Sequence, residues 1–133
     1  MPVKVFIDTN IVIYALGPAS AKTPLAVPLF VGTPSISTQV LSETANVATK
    51  RLALPLQEVR KLITTLEAIC QVEIISLTTI HIAFDIQERY GFSWYDSLIV
   101  ATALEAGCDT LYSEDMQDGQ VIEGRLRIAN PFA

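Results

Sequence analysis

The chain has 133 residues, half of them apolar, a formal net charge of −5 and a mean hydropathy of +0.41. That length suits one compact domain over residues 1–133, with one core, and excludes two. The longest apolar run, Leu98 to Leu104, stops at Glu105 and falls far short of the ~20 residues that span a bilayer, which excludes a membrane role. The hydropathy therefore belongs to a dense core, or to a core plus a partner surface.

The first residues, Met1 to Ile7, meet the charge of Asp8 too early for the apolar stretch of a signal peptide. Val3 to Ile7 reads as a short buried strand ending at Asp8-Thr9-Asn10, and Ile11 to Leu16 continues as a helix that Gly17 and Pro18 end. Pro24, Pro28 and Pro34 interrupt the stretch 19–34, which predicts a short helix and loop. Ser35 to Ser37 reads as a strand, and Ser37 or Thr38 can cap a helix running to about Leu52. Pro55 is placed to begin the next helix, on which Leu56, Val59, Leu62, Ile63, Leu66 and Ile69 form one apolar stripe. Val72 to Leu77 reads as a strand, followed by a helix opened by Thr78 or Thr79 and closed after Tyr90 by Gly91. Ser93 opens a helix to Ala106, closed by Gly107; Thr110 to Ser113 and Leu126 to Ile128 read as further strands. Strands alternating with helices predict an α/β fold, with a parallel sheet of four to five strands covered on both faces. Ligands of such sheets bind beyond the carboxyl ends of the strands, where Asp8 and Asp115 fall.

Four acids stand out, each with an ordinary structural role beside a chemical one. Asp8 can cap the helix that follows it, and Asn10 can cap or can hold Asp8 in place. Glu43 shares a helix face with Val40 and Val47, so it borders either the core or a cleft rather than open solvent. Asp96 completes a Ser93-x-x-Asp96 pattern like a capping box, yet the helix behind it is apolar almost all round and must be buried. Asp115 can be a turn acid, with Glu114 and Asp118 as neighbouring competitors.

Taken together, the four point to a cation. Carboxylates brought to ~5 Å repel by roughly 3 kcal/mol per pair at an effective dielectric of ~20, so such a cluster takes up protons or binds metal. Oxygen-only ligation suits Mg²⁺ or Mn²⁺ rather than zinc. Four of the fourteen acids committed to metal leave ten against nine basic residues, which weakens the charge argument against a nucleic-acid partner. Cys70 and Cys108 form no short-spaced motif and read as reduced core thiols, in keeping with a cytoplasmic protein. His81 is the single histidine, with no nucleophile paired to it by a local motif. Trp94 and Tyr95 read as helix anchors, and the basic pairs Lys50-Arg51 and Arg60-Lys61 as a solvated face or phosphate contacts.

The motifs Phe6-Ile7-Asp8-Thr9-Asn10, Ser37 to Glu43, Ser93-Trp94-Tyr95-Asp96-Ser97 and Tyr112-Ser113-Glu114-Asp115-Met116, in that order, carry a resemblance covering nearly the whole chain. The sequence resembles the PIN domain and, within it, the VapC-type toxins of bacterial and archaeal toxin–antitoxin pairs. The resemblance implies an α/β/α sandwich and an Mg²⁺- or Mn²⁺-dependent endoribonuclease. It also implies a homodimer and a cognate antitoxin that inserts a segment into the active-site groove. The family's four acids fall on Asp8, Glu43, Asp96 and Asp115, its small polar residue on Ser113 and its opening amide on Asn10. The proline-interrupted stretch 19–34 departs from relatives with a clear helix there, and the family's basic residues near the groove have no obvious counterpart. A haloacid-dehalogenase-like phosphatase would need an aspartate where Asn10 stands. A receiver-type signalling module would need a strand-end lysine, and a non-catalytic PIN-like scaffold would not need all four acids.

Overall fold

The computed structural model describes residues 3–133; Met1 and Pro2, at the head of the segment weighed as a signal peptide, lie outside the described residues. Six strands form one sheet: β1 (Val5–Ile7), β2 (Ser35–Ser37), β3 (Gln71–Glu73), β4 (Thr110–Tyr112), β5 (Val121–Ile122) and β6 (Leu126–Ala129). Their order is β3-β2-β1-β4-β6-β5, all parallel except the β5–β6 pair. The five expected strands are all present. The sixth, β5, is a two-residue strand whose hairpin turn holds Glu123 and Gly124 at φ +53° and +69°. Two successive positive φ values are what a tight antiparallel hairpin requires.

The helices are α1 (Thr9–Leu16), α2 (Thr23–Ala26), α3 (Thr38–Lys50), α4 (Leu56–Ile69), α5 (Leu77–Tyr90) and α6 (Trp94–Glu105). The chain moves from β1 outward to β3, then crosses back to β4 through α5 and α6. With right-handed crossovers, opposite directions of travel put α1–α4 and α5–α6 on opposite faces. The core runs through the sheet, with Phe6, Ile7, Ile36, Leu111 and Ile128 closed from solvent. Every residue of α6 from Ser97 to Leu104 is buried, as its uniformly apolar sequence demands.

Gly17 ends α1 because a Cβ there would meet the Ile13 carbonyl oxygen at 2.6 Å. The stretch 19–34 is α2 followed by a 3₁₀ turn over Val27–Phe30, with Pro24 and Pro28 near the two starts. Boundaries moved in three places. Pro55 caps α4 from outside instead of beginning it, and Leu56 at the head of the apolar stripe is exposed. The third strand is short, so Ile74 and Leu77 lie exposed beyond it. Finally, Ser76 rather than Thr78 or Thr79 caps α5, closing a capping box with Thr79. Cys70 and Cys108 are free and buried, and burial pushes the Cys70 thiol up to about 11.

Candidate active site

The order in which the chain adds parallel strands reverses between β1 and β4, and the register there decides what meets at their carboxyl ends. Ile7 pairs with Tyr112, and the Asp8 N–H donates to the Tyr112 carbonyl at 3.0 Å as a last rung. Asp8 and Ser113 are thereby neighbours, and the Ser113 hydroxyl donates to Asp8 Oδ2 at 2.9 Å. The other oxygen, Oδ1, accepts from the Thr9 N–H at 2.7 Å, so Asp8 caps α1 and faces the crevice at once. Asp8 is 8 % exposed. Burial pushes its carboxyl up to about 6, against the Thr9 and Ser113 hydrogen bonds and with the charges of Asp96 and Glu43 adding to the rise.

Glu43 lies in the second turn of α3, half-buried. Its Oε1 accepts from the Thr9 hydroxyl at 2.9 Å and from Gln39 Nε2, one turn earlier, at 3.3 Å. Asp96 sits in the first turn of α6, where its N–H donates to Ser93 Oγ at 3.2 Å. Burial raises its pKa, the Ser93 hydroxyl opposes this, and the Asp115 charge adds to it. Asp115, just past β4, accepts from Asn10 Nδ2 at 2.6 Å. Asp8 thus feels Glu43 and Asp96, and Asp96 feels Asp115: the four form one electrostatic cluster at the sheet's reversal point.

Two assignments sharpen. Asn10 holds Asp115, not Asp8; the residue that holds Asp8 is Ser113. The competitors of Asp115 are occupied elsewhere. Glu114 is bound by the Tyr14 hydroxyl at 2.6 Å and by an ion pair with Lys22, from the proline-interrupted stretch, which lowers its pKa. Asp118 accepts from the Asn130 N–H at 2.8 Å. Asn10 and Tyr14, one turn apart on α1, therefore grip two successive acids. Sequence reasoning missed Thr9 and Gln39 as supports of Glu43. The signal for Gln39 is its spacing of four from Glu43 on one helix.

The donor set is oxygen-only, which is hard-cation chemistry. As the side chains stand, no three His, Cys, Asp or Glu among the described residues lie close enough together to hold a metal ion. A hydrated ion such as Mg²⁺ would need only one or two of these carboxylates directly. Asp8, raised by burial and by its neighbours' charges, is the acid a cation would relieve most.

The sequence matches the PIN domain family over residues 5–117, a span that holds all four acids. The chain belongs to the PIN domain family. No curated protein matches this PIN domain in sequence. Among solved structures, it is similar to a toxin–antitoxin complex from Klebsiella pneumoniae, with TM-score 0.75 and 20 % identity, covering 96 % of this chain and 98 % of that one. It is also similar to VapBC2 from Rickettsia felis bound to a promoter DNA fragment, with TM-score 0.70, 18 % identity and coverage of 96 % and 100 %. A third is VapC20 of Mycobacterium tuberculosis, a toxin that cleaves the sarcin–ricin loop, with TM-score 0.67, 19 % identity and coverage of 84 % and 90 %. At these identities the likeness is one of fold: an α/β chain with a mostly parallel central sheet, shared with VapC toxins.

Proposed function

We propose that this single-domain chain is a metal-dependent endoribonuclease and the toxin of a toxin–antitoxin pair. The observation that carries the reading is that Asp8, Glu43, Asp96 and Asp115 share the carboxyl end of the sheet where the strand order switches, with burial chiefly, and the charges of Asp96 and Glu43, pushing the Asp8 carboxyl up to about 6. The fold shared with VapC toxins, one of them a toxin that cleaves the sarcin–ricin loop, supports it.

Asp8, Asp96 and Asp115 would hold Mg²⁺ or Mn²⁺, directly or through water, with Glu43 completing the set. A bound cation supplies a lowered pKa for its water and neutralises charge on the transferring phosphoryl group. The chain's own part is orientation. Ser113 and the Thr9 N–H fix both oxygens of Asp8, Asn10 fixes Asp115, and Thr9 with Gln39 leaves Glu43 one free oxygen, Oε2. That oxygen would orient the attacking water as its oxygen bonds to phosphorus, the ester P–O bond breaks and a proton passes to the leaving oxygen. The structures it resembles support a cognate antitoxin as partner; the family resemblance of the sequence motifs is the ground for a homodimer, and the reduced-thiol reading of Cys70 and Cys108 for the cytoplasm. Among the described residues no helix is long and apolar enough to cross a membrane.

The test is cleavage of total RNA with Mg²⁺ or Mn²⁺, with and without EDTA, by the wild type and Asp96→Asn. The expected result is cleavage by the wild type alone, abolished by EDTA. Equal cleavage by both proteins, or cleavage indifferent to EDTA, points to a contaminating ribonuclease and removes the proposal. Co-purification of a small DNA-binding protein encoded beside this chain tests the partner.

A further inference from the structure

Of the two aromatic residues before Asp96, only one anchors α6. Trp94 meets Phe84 at a tilt of 44° with ring centroids 4.8 Å apart and packs against the buried Ala83, Leu98 and Ala101. Tyr95 stays 63 % exposed, although its backbone is pinned: its carbonyl accepts from Gln39 Nε2 at 3.1 Å. Beside it opens a cleft of about 450 Å³ bordered by Gln39, Glu43, Asn46 and Tyr95, with Val47 and Leu98 as its apolar part. The size suits a small-ligand site. Glu43 borders this cleft and is also one of the four acids, so the cleft adjoins the candidate active site.

A second observation gives the cleft its chemistry. Gln39 is 8 % exposed, and its Nε2 is committed to two acceptors, Glu43 Oε1 and the Tyr95 carbonyl. The amide orientation is thereby fixed and leaves Oε1 buried with no hydrogen-bond partner. Such an acceptor is costly to leave unpaired and calls for an N–H donor.

We propose that this cleft is a nucleobase subsite, in which the base flanking the scissile phosphate stacks on the Tyr95 ring with its edge toward Gln39 and Asn46. The proposal rests on the ribonuclease reading and names how its substrate is gripped. A base has what the cleft asks for: a flat π face, an apolar body and ring or amino N–H donors. A phosphate does not fit, because Glu43 would repel it.

The test follows short single-stranded RNA binding to the full chain in EDTA, by the NMR signals of the Tyr95 ring and the Gln39 and Asn46 side-chain amides. Affinity is measured in parallel for the wild type, Tyr95→Phe and Tyr95→Ala. Expected are shifts at all three side chains, an affinity loss of about tenfold for Tyr95→Ala and less than about twofold for Tyr95→Phe. One abasic position in the RNA should erase the difference between wild type and Tyr95→Ala. Equal binding by Tyr95→Ala, or signals unmoved by bound RNA but moved by a co-purifying protein, overturns the proposal. Binding with these shifts but no metal-dependent cleavage keeps the subsite and removes the nuclease. Cleavage with an unchanged Tyr95→Ala does the reverse, and neither binding nor cleavage removes both.

Discussion

The two ends of the sheet differ in a way that cavity size alone would misread. The larger cleft, about 770 Å³, lies at the amino end among Val3, Pro28, Val31, Gly32 and Pro34. Its charged groups are closed on themselves: the Lys4 N–H donates to Asp109 Oδ2 at 3.0 Å, and Lys4 Nζ to the Ala106 carbonyl at 2.5 Å. At the carboxyl end the supporting residues do the opposite. They set four carboxylates at one end of the sheet, and burial, with smaller contributions from the charges of Asp96 and Glu43, pushes the Asp8 carboxyl up to about 6. Strand direction and the reversal between β1 and β4, not volume, set where chemistry collects.

The comparison can be broken from either end. Asp96→Asn should lower RNA cleavage by more than about a hundredfold, because the supports of metal ligands alone are worth roughly 10–100-fold. Val31→Ser, at the amino end, should leave the rate unchanged and shift stability by no more than about 0.5 kcal/mol. An equal loss from both, measured as cleavage rate and Tm, would erase the distinction.

Ser113→Ala sharpens the same contrast through a residue that never meets the substrate. Its hydroxyl holds Asp8 Oδ2, and its loss should weaken Mn²⁺ binding and cleavage by about 10–100-fold. Calorimetric titration with Mn²⁺ measures this directly. A change in Tm without a change in Mn²⁺ affinity would confine Ser113 to stability.

Acidity tests the stored repulsion. Because Asp8 binds its proton more tightly folded than unfolded, the metal-free protein holds more protons than the unfolded chain between about pH 4 and about pH 6. Its stability should therefore fall as pH rises through that window. Asp8→Asn should flatten the slope, leaving the part due to Asp96, and stabilise the metal-free chain at pH 7 by about 1–2 kcal/mol, since asparagine caps α1 nearly as well. Denaturant titrations in EDTA across this range check both statements; a rise in wild-type stability with pH through the window contradicts them. Lys22→Met should leave Tm almost unchanged, because its ion pair with Glu114 lies largely in solvent.

Legibility followed the range of the interaction. Asp8 as strand end and cap, the buried α6 and the closing glycine of α5 are written in neighbouring residues and were read correctly. Asn10 could be a cap or a holder of Asp8 on its neighbours alone; its partner Asp115 lies 105 positions away, and only the β1–β4 register brings them together. The commitment of Glu114 was hidden because Lys22 sits in the stretch whose prolines obscure any periodicity. Leu56 and Leu77 show another limit: hydrophobicity marks a residue as able to be buried, but the packing decides whether it is. The start of α5 was readable in principle, since Ser76-x-x-Thr79 is a capping box with threonine in the usual acid's place.

The central claim is that the carboxyl end of this sheet is built to hold a divalent cation among Asp8, Glu43, Asp96 and Asp115. Crystals grown with Mn²⁺ and measured at the manganese edge test it most directly. The account predicts an anomalous peak among these four residues, bonded to Asp8 and lost in Asp8→Asn. A peak only elsewhere, or none at saturating Mn²⁺, would contradict it.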